Sequence, residues 1–432
     1  MGTNSSLTRR WRPSLVTRPE PFTADGQRFL TDAGWMIAAT ILCGTLNAVQ
    51  QMVVQRSLLA QGEYGLYTTL RETMAQLAIP LGGVQFTFVR LATRAGSSQM
   101  ETLACLRTWL VSVLIFGAGL LLLCWCFADP VRSYFHLKSL TPLILTLLAT
   151  IASLLLPAYM GILQASQRFS LLAWGRISVD ASLLLGVVWG VTQVRPDALG
   201  GISGLLLGLL TALAVVVRMS GASGASLQSK VSLAALLRHG FPLTLGIGIP
   251  AFMLSEDIFV VRRHFADQID GYAAARVAGR TLVFMTAPLI WVIFPKIVKQ
   301  ASKGGDRIEN WSCLGIVGVG VLVAMGCSLY PEVLLRLLSG QRYLHYSQWV
   351  AWFAWAMLPL ALSTVLINGL LARGCFEGLP VLLLLVGTYG VALRISNCTP
   401  ATVICLMGIT NLMLLGASWM YFHKARVGPP PP

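Results

Sequence analysis

Charge is scarce in this sequence. Only 11% of its 432 residues are charged, and just 17 are Asp or Glu. The chain is also 55% hydrophobic, with a mean hydropathy of +0.70, so it has too little polar surface to cover a soluble core of this size. Histidine is scarce too: His136, His239, His264, His345 and His423 are scattered near the ends of apolar runs and form no ligand set. The nine cysteines lie mostly within apolar runs and show neither CxxC nor Cys/His spacing, so they read as small buried apolar residues rather than metal ligands. No catalytic triad is visible. Neither an enzyme activity nor a cofactor is expected.

What the sequence has instead is hydrophobic length. Apolar runs of about twenty or more residues recur, enough for helices to cross a hydrocarbon core about 30 Å thick, whereas a membrane β-barrel shows short alternating segments. The expected fold class is an all-α polytopic membrane protein of about twelve transmembrane helices in two pseudo-symmetric six-helix bundles. The spans fall at 33–55, 67–90, 104–128, 139–164, 170–193, 198–218, 238–262, 271–296, 311–335, 347–371, 378–395 and 400–422. Residues 1–30 then form a cytoplasmic tail rather than a signal peptide, 31–218 the first bundle, 219–237 a Ser/Gly/Ala-rich linker, 238–423 the second bundle and 424–432 a Pro-rich tail. An even number of helices per half relates the halves by an axis along the membrane normal.

The net charge of +15 would point to nucleic acid in a soluble protein, but here the excess sits mainly in loops, so no nucleic-acid partner is expected. With the N-terminus inside, twenty of the 32 Lys and Arg fall in inside loops and helix ends and nine in outside ones. Arg71, Arg276 and Arg280 remain in the membrane. The positive-inside rule therefore places both termini in the cytoplasm. Proline and glycine interrupt spans two, four, seven, eight and ten, at Pro80 with Gly82 and Gly83, at Pro157, at Gly246, Gly248 and Pro250, at Pro288 and Pro295, and at Pro359. Each is a place where a helix can bend.

Intramembrane charges are the candidate site, because each costs about 2.5–3.5 kcal/mol at a helix centre. Arg276 and Arg280, four residues apart, share one face of helix eight and offer two guanidiniums to a phosphate or carboxylate. The plainer alternative has Arg276 snorkelling to the surface while Arg280 neutralises Asp257. Glu256 and Asp257 lie about one and a half turns from the outer end of helix seven, where either can pair with an arginine of helix eight or bind a coupling ion. Asp257 is the preferred one. Asp180 lies near mid-span on helix five as the i+4 neighbour of Arg176, and Arg71 with Glu72 lies early in helix two, where snorkelling is the stronger explanation. Asn47, Gln50, Gln51, Gln55, Gln76, Gln85 and Asn368 either line a polar cavity or bond between helices.

The chain also repeats itself. At a fixed offset of 206 and with no gap, Gly34-Trp35 meets Gly240-Phe241, Val54 meets Val260, Arg56 meets Arg262, Gly65 meets Gly271 and Arg90 meets Lys296. Self-similarity of this kind is the mark of a duplicated transporter half. The stretch EYGLYTTLRETMAQLAIPLGGVQFTFVR (Glu63 to Arg90) and its counterpart from Asp257 to Lys296, with their EYGLY and GYAAA turns and the late FPK, resemble polysaccharide flippases of the multidrug/oligosaccharidyl-lipid/polysaccharide exporter superfamily. The resemblance implies two six-helix bundles around a central cavity. They would move an undecaprenyl-diphosphate-linked oligosaccharide across a bacterial inner membrane, in company with membrane lipid and with a polysaccharide polymerase or glycosyltransferases. In that setting Arg280, Arg276 and Arg71 are candidates for the diphosphate, and Asp257, Glu256 and Asp180 for a coupling ion. The superfamily's lipid II branch carries extra helices, for which this chain has no room. Its drug antiporter branch wants an acid deep in helix one or seven. Helix one has only Asp32, at its edge, while Glu256 and Asp257 keep open the alternative of an ion-coupled multidrug or small-molecule antiporter, and a membrane scaffold of a polysaccharide-synthesis complex is the third reading.

Overall fold

A computed structural model describes residues 24–58, 60–79, 83–85, 88, 99–165, 169–221, 233–280, 307–373, 375–395 and 399–427. Among them every regular element is helical. The first half comprises α1 (Ala24–Ser57), α2 (Glu63–Ala78), α3 (Gln99–Cys126), α4 (Ala128–Phe135), α5 (Thr141–Ala165), α6 (Phe169–Trp189, ending in a π-helical turn at Gly190–Val194) and α7 (Ala198–Ser220). The second comprises α8 (Leu233–Met253), α9 (Glu256–His264), α10 (269–280), α11 (Arg307–Leu329), α12 (Pro331–Ser339), α13 (Ser347–Ala372), α14 (Leu379–Ile395) and α15 (Pro400–Val427).

Eight helical segments of the described residues are long and apolar enough to cross a membrane, with the bent pair α11–α12 a ninth and α14 a shorter apolar helix. The remaining parts of predicted spans two and eight, with Pro80, Pro288 and Pro295, lie outside the described residues, as do the repeat partners Arg90 and Lys296, most of the linker and the last five residues. The two copies of the internal repeat occupy equivalent places. Arg56 and Arg262 end α1 and α9, and Gly65 and Gly271 lie in the first turns of α2 and α10. We call this end of the molecule, with Ser57, Gly62 and His264, the upper face.

Four boundaries differ from the sequence expectation. Helix α1 opens at Ala24, inside the expected tail. Expected span 311–335 is not continuous: it stops at Leu329 and α12 departs at 87°. Pro331 is the reason, since a residue preceding proline is driven out of the α region, and Tyr330 sits at φ −129°, ψ 48°. Similarly, the connection after span three holds the short helix α4. Expected span seven is broken at Leu254–Ser255, which puts Glu256 and Asp257 in the first turn of α9, where the helix dipole favours negative charge.

Close packing within the first lobe rests on glycine. Gly186 and Gly190 of α6 face Gly200, Gly204 and Gly208 of α7 so closely that a Cβ at any of them would run into backbone. This is the small-residue spacing that lets membrane helices meet at van der Waals distance when lipid supplies no hydrophobic drive. In the second lobe α13 packs on α11 and α15, and buried Asn411 donates to the Ala356 carbonyl across that interface at 2.8 Å.

Candidate functional site: a charge network between the lobes

The lobes join at the upper face through polar contacts at helix ends. The Asp270 carboxylate accepts the N–H groups of Gly62 and Gly65, both at 2.7 Å, at the start of α2 in the opposite lobe. Those N–H groups have no partner within their own helix, so an anion from across the interface satisfies them. Gly62 holds φ at +82°, a backbone that side-chain-bearing residues rarely adopt. Arg262 donates to the Gly62 carbonyl (3.2 Å) and the Phe135 carbonyl (3.3 Å), and Arg56 to the Leu337 carbonyl (2.6 Å). Ser339 donates to Gln55, which in turn donates to the Tyr64 hydroxyl at 2.7 Å.

Below this seam lies the charge cluster. Asp257 is fully buried and accepts three donors: the Tyr272 hydroxyl at 2.9 Å, Arg276 Nε at 3.1 Å and Arg280 Nη2 at 2.9 Å. Arg276, only 1% exposed, uses its whole fork. While Nε holds Asp257, Nη1 donates to Glu72 of α2 at 2.9 Å and Nη2 to the Leu254 carbonyl at 2.5 Å, a carbonyl freed by the break between α8 and α9. Arg280 Nη1 is 3.9 Å from the same Glu72 oxygen. Glu256, the next residue along α9, is also buried; it accepts from Gln76 of α2 at 2.8 Å and is ion-paired with Arg394 of α14. Three guanidiniums thus meet three carboxylates, and Glu72 and Gln76 come from the opposite lobe.

The other expected site residues lie elsewhere. Asp180 of α6 is hydrogen-bonded with Cys43 of α1 and sits within electrostatic reach of Arg176 and Arg71, which makes a separate cluster inside the first lobe. The structure therefore brings Arg276, Arg280, Asp257 and Glu256 together and leaves Arg71 and Asp180 apart. Arg276 does not snorkel. Among the polar candidates only Gln76 reaches the inter-lobe cluster: Gln55 belongs to the seam, Gln85 bonds Gln164 (2.8 Å) and Asn368 bonds the Thr364 carbonyl of its own helix (2.8 Å). Glu72, which reads from sequence as a snorkelling neighbour of Arg71, is the inter-lobe partner, and Arg394, which reads as an outside-loop charge, is the partner of Glu256. Sequence held one signal for Glu72, an acid in an apolar run of a chain poor in acids.

No protein-family model and no curated protein matches the sequence. Solved structures do match. The chain is similar to the lipid II flippase MurJ in an inward closed conformation (12% identity, 90% of this chain and 89% of that one, TM-score 0.71). It is similar to an inward-facing multidrug resistance MATE transporter of the MOP superfamily (11%, 91% and 98%, TM-score 0.67) and to the eukaryotic MATE transporter AtDTX14 (14%, 93% and 98%, TM-score 0.62). The class that fold defines is a multi-pass helical membrane protein of two six-helix lobes. The chain shares the fold of these transporters, as the resemblance of the Glu63 and Asp257 stretches implied.

Proposed function

We propose that this chain is a flippase that carries a lipid-linked oligosaccharide, of the undecaprenyl-diphosphate type, from the cytoplasmic to the outer leaflet of a bacterial inner membrane by alternating access. Both termini are cytoplasmic and the upper face looks outward. The observation that carries this reading is Arg276, a buried guanidinium shared between Asp257 of its own lobe and Glu72 of the other. While the lobes are closed at the upper face, two arginines are balanced by two acids. A lobe separation that withdraws Glu72 leaves Arg276 and Arg280 against Asp257 alone, one positive charge in excess. That is where a diphosphate gains most from bidentate contact. The diphosphate and Glu72 then compete for the same fork, which couples substrate occupancy to the inter-lobe seam. Arg71, in the separate first-lobe cluster with Asp180, is a further candidate cation, and Asp180 and Glu256 are the remaining candidates for ion coupling. A polymerase or glycosyltransferase supplying or taking the glycan is the expected partner.

The MATE likeness supports a second reading, an ion-coupled antiporter of small organic cations. A cation site wants an acid free of guanidinium, and both acids of α9 carry one, so we place this reading second.

The test is translocation of a fluorescent undecaprenyl-diphosphate oligosaccharide in proteoliposomes, wild type beside Arg280→Ala. Transport by wild type and its loss in the variant, at equal protein in the membrane, is the expected result. No glycan transport by wild type, with cationic dyes moving instead, would give the site to the antiporter reading.

A further inference from the structure

Beside the charge cluster the two lobes line an open cavity of about 320 Å³, near the lower bound of small-molecule sites. Five of its eight lining residues come from the first lobe, Thr73, Gln76 and Phe135 among them, and Glu256, Phe259 and Arg394 come from the second. The arginines of the diphosphate site proposed above are not among them. Its walls are aromatic: the rings of Phe135 and Phe259 stand edge to face with centroids 6.3 Å apart, and Tyr134 continues the surface 5.1 Å beyond Phe135. Its polar groups are mutually neutralised. Glu256 is buried and paired with Arg394, whose side chain is 56% exposed and also donates to the Gly390 carbonyl at 2.8 Å. Thr73 spends its hydroxyl proton on the Thr69 carbonyl (2.9 Å) and Gln76 one amide proton on Glu256, which leaves the lining with both acceptor lone pairs and the remaining N–H groups of Gln76 and Arg394.

We infer that this cavity is a binding site for one uncharged glycosyl ring. Three properties select that ligand. The size excludes a whole oligosaccharide. Aromatic faces match the C–H faces of a pyranose and leave its rim to hydrogen bonds. A charge-balanced lining with both donors and acceptors suits hydroxyl groups and offers neither an anion nor an organic cation an unpaired charge. Because both lobes supply its walls, the site exists only while the upper face is closed. Opening divides it, so the first sugar of a lipid-linked chain is held before the lobes part and freed as they do. The assignment rests on the flippase reading for its physiological ligand but not for its chemistry.

The experiment uses the full chain in lipid nanodiscs and reads saturation-transfer NMR of methyl glucoside. The variants are Phe259→Leu and Arg394→Met, with Phe241→Leu, on an exposed part of α8, as control. The expected result is a wild-type signal that falls about fivefold in both pocket variants, the equivalent of one lost aromatic or hydrogen-bonded contact, and not in the control. Arg394 is exposed, so its variant reports on the pocket even if Phe259→Leu perturbs packing. A wild type with no signal, a signal equal in all proteins, or displacement of the sugar by tetraphenylphosphonium would each overturn the assignment. Lipid-linked glycan transport without a pocket-dependent sugar signal removes the pocket and leaves the flippase. The converse removes the flippase and leaves a sugar site.

Discussion

Replacing Glu72 by Gln is the sharpest perturbation of the proposed coupling. The substitution keeps the shape and an acceptor for Arg276 Nη1, which donates at 2.9 Å, but removes the negative charge that Arg276 and Arg280 share across the lobes. Truncating one partner of a buried, hydrogen-bonded charge pair at an interface costs about 2–5 kcal/mol. Glu72 is 21% exposed at its side chain, so the lower bound applies. Closure of the upper face should therefore weaken by about 2 kcal/mol, a roughly 30-fold increase in the equilibrium constant for opening. Spin labels at Gln61 and Asp267, exposed on opposite sides of the seam, would report this as a growing population of longer distances in a background without native cysteines. Glu377→Gln, which removes an exposed ion pair with Lys424 at 2.9 Å, should leave the distribution unchanged. An unaltered distribution in Glu72→Gln, or an equal change in the control, would refute the coupling. In the double variant with Arg276→Gln the two effects should not add, because they act on one contact.

Two further outcomes follow from the packing. Asp257→Asn leaves Arg276 and Arg280 buried with one acid between them, so stability should fall by about 3–5 kcal/mol, visible as a lower midpoint in tryptophan-monitored thermal unfolding; an unchanged midpoint would mean that the pair is solvated. Gly204→Leu places a side chain against the α6 backbone and should cost at least about 1–3 kcal/mol, read as loss of folded protein from the membrane, while Gly34→Leu, with open space around it, should be tolerated.

The sequence by itself determined the class of this protein. Twenty-residue apolar runs in a chain with 11% charge leave only a membrane helical bundle, because backbone polar groups in lipid must be satisfied within the element. The offset of 206 and the Glu63 and Asp257 stretches pointed to the superfamily fold, since duplicated halves keep glycines and basic residues at equivalent helix ends. The sequence also marked Arg276, Arg280, Asp257 and Glu256, because charge inside an apolar run is costly wherever the run packs. It could not tell which charge meets which. Glu72 lies 204 residues from Arg276, and Arg394 is 138 residues from Glu256; such pairings depend on how the lobes dock, which no local periodicity encodes. Nor did the hydropathy pattern separate Arg276 from a snorkelling arginine, since one turn of helix decides between lipid surface and protein interior. The break at Leu254–Ser255, which supplies a carbonyl to Arg276 and sets Glu256 and Asp257 at a helix start, is likewise a product of tertiary packing, for the run through it is continuously apolar up to those two acids.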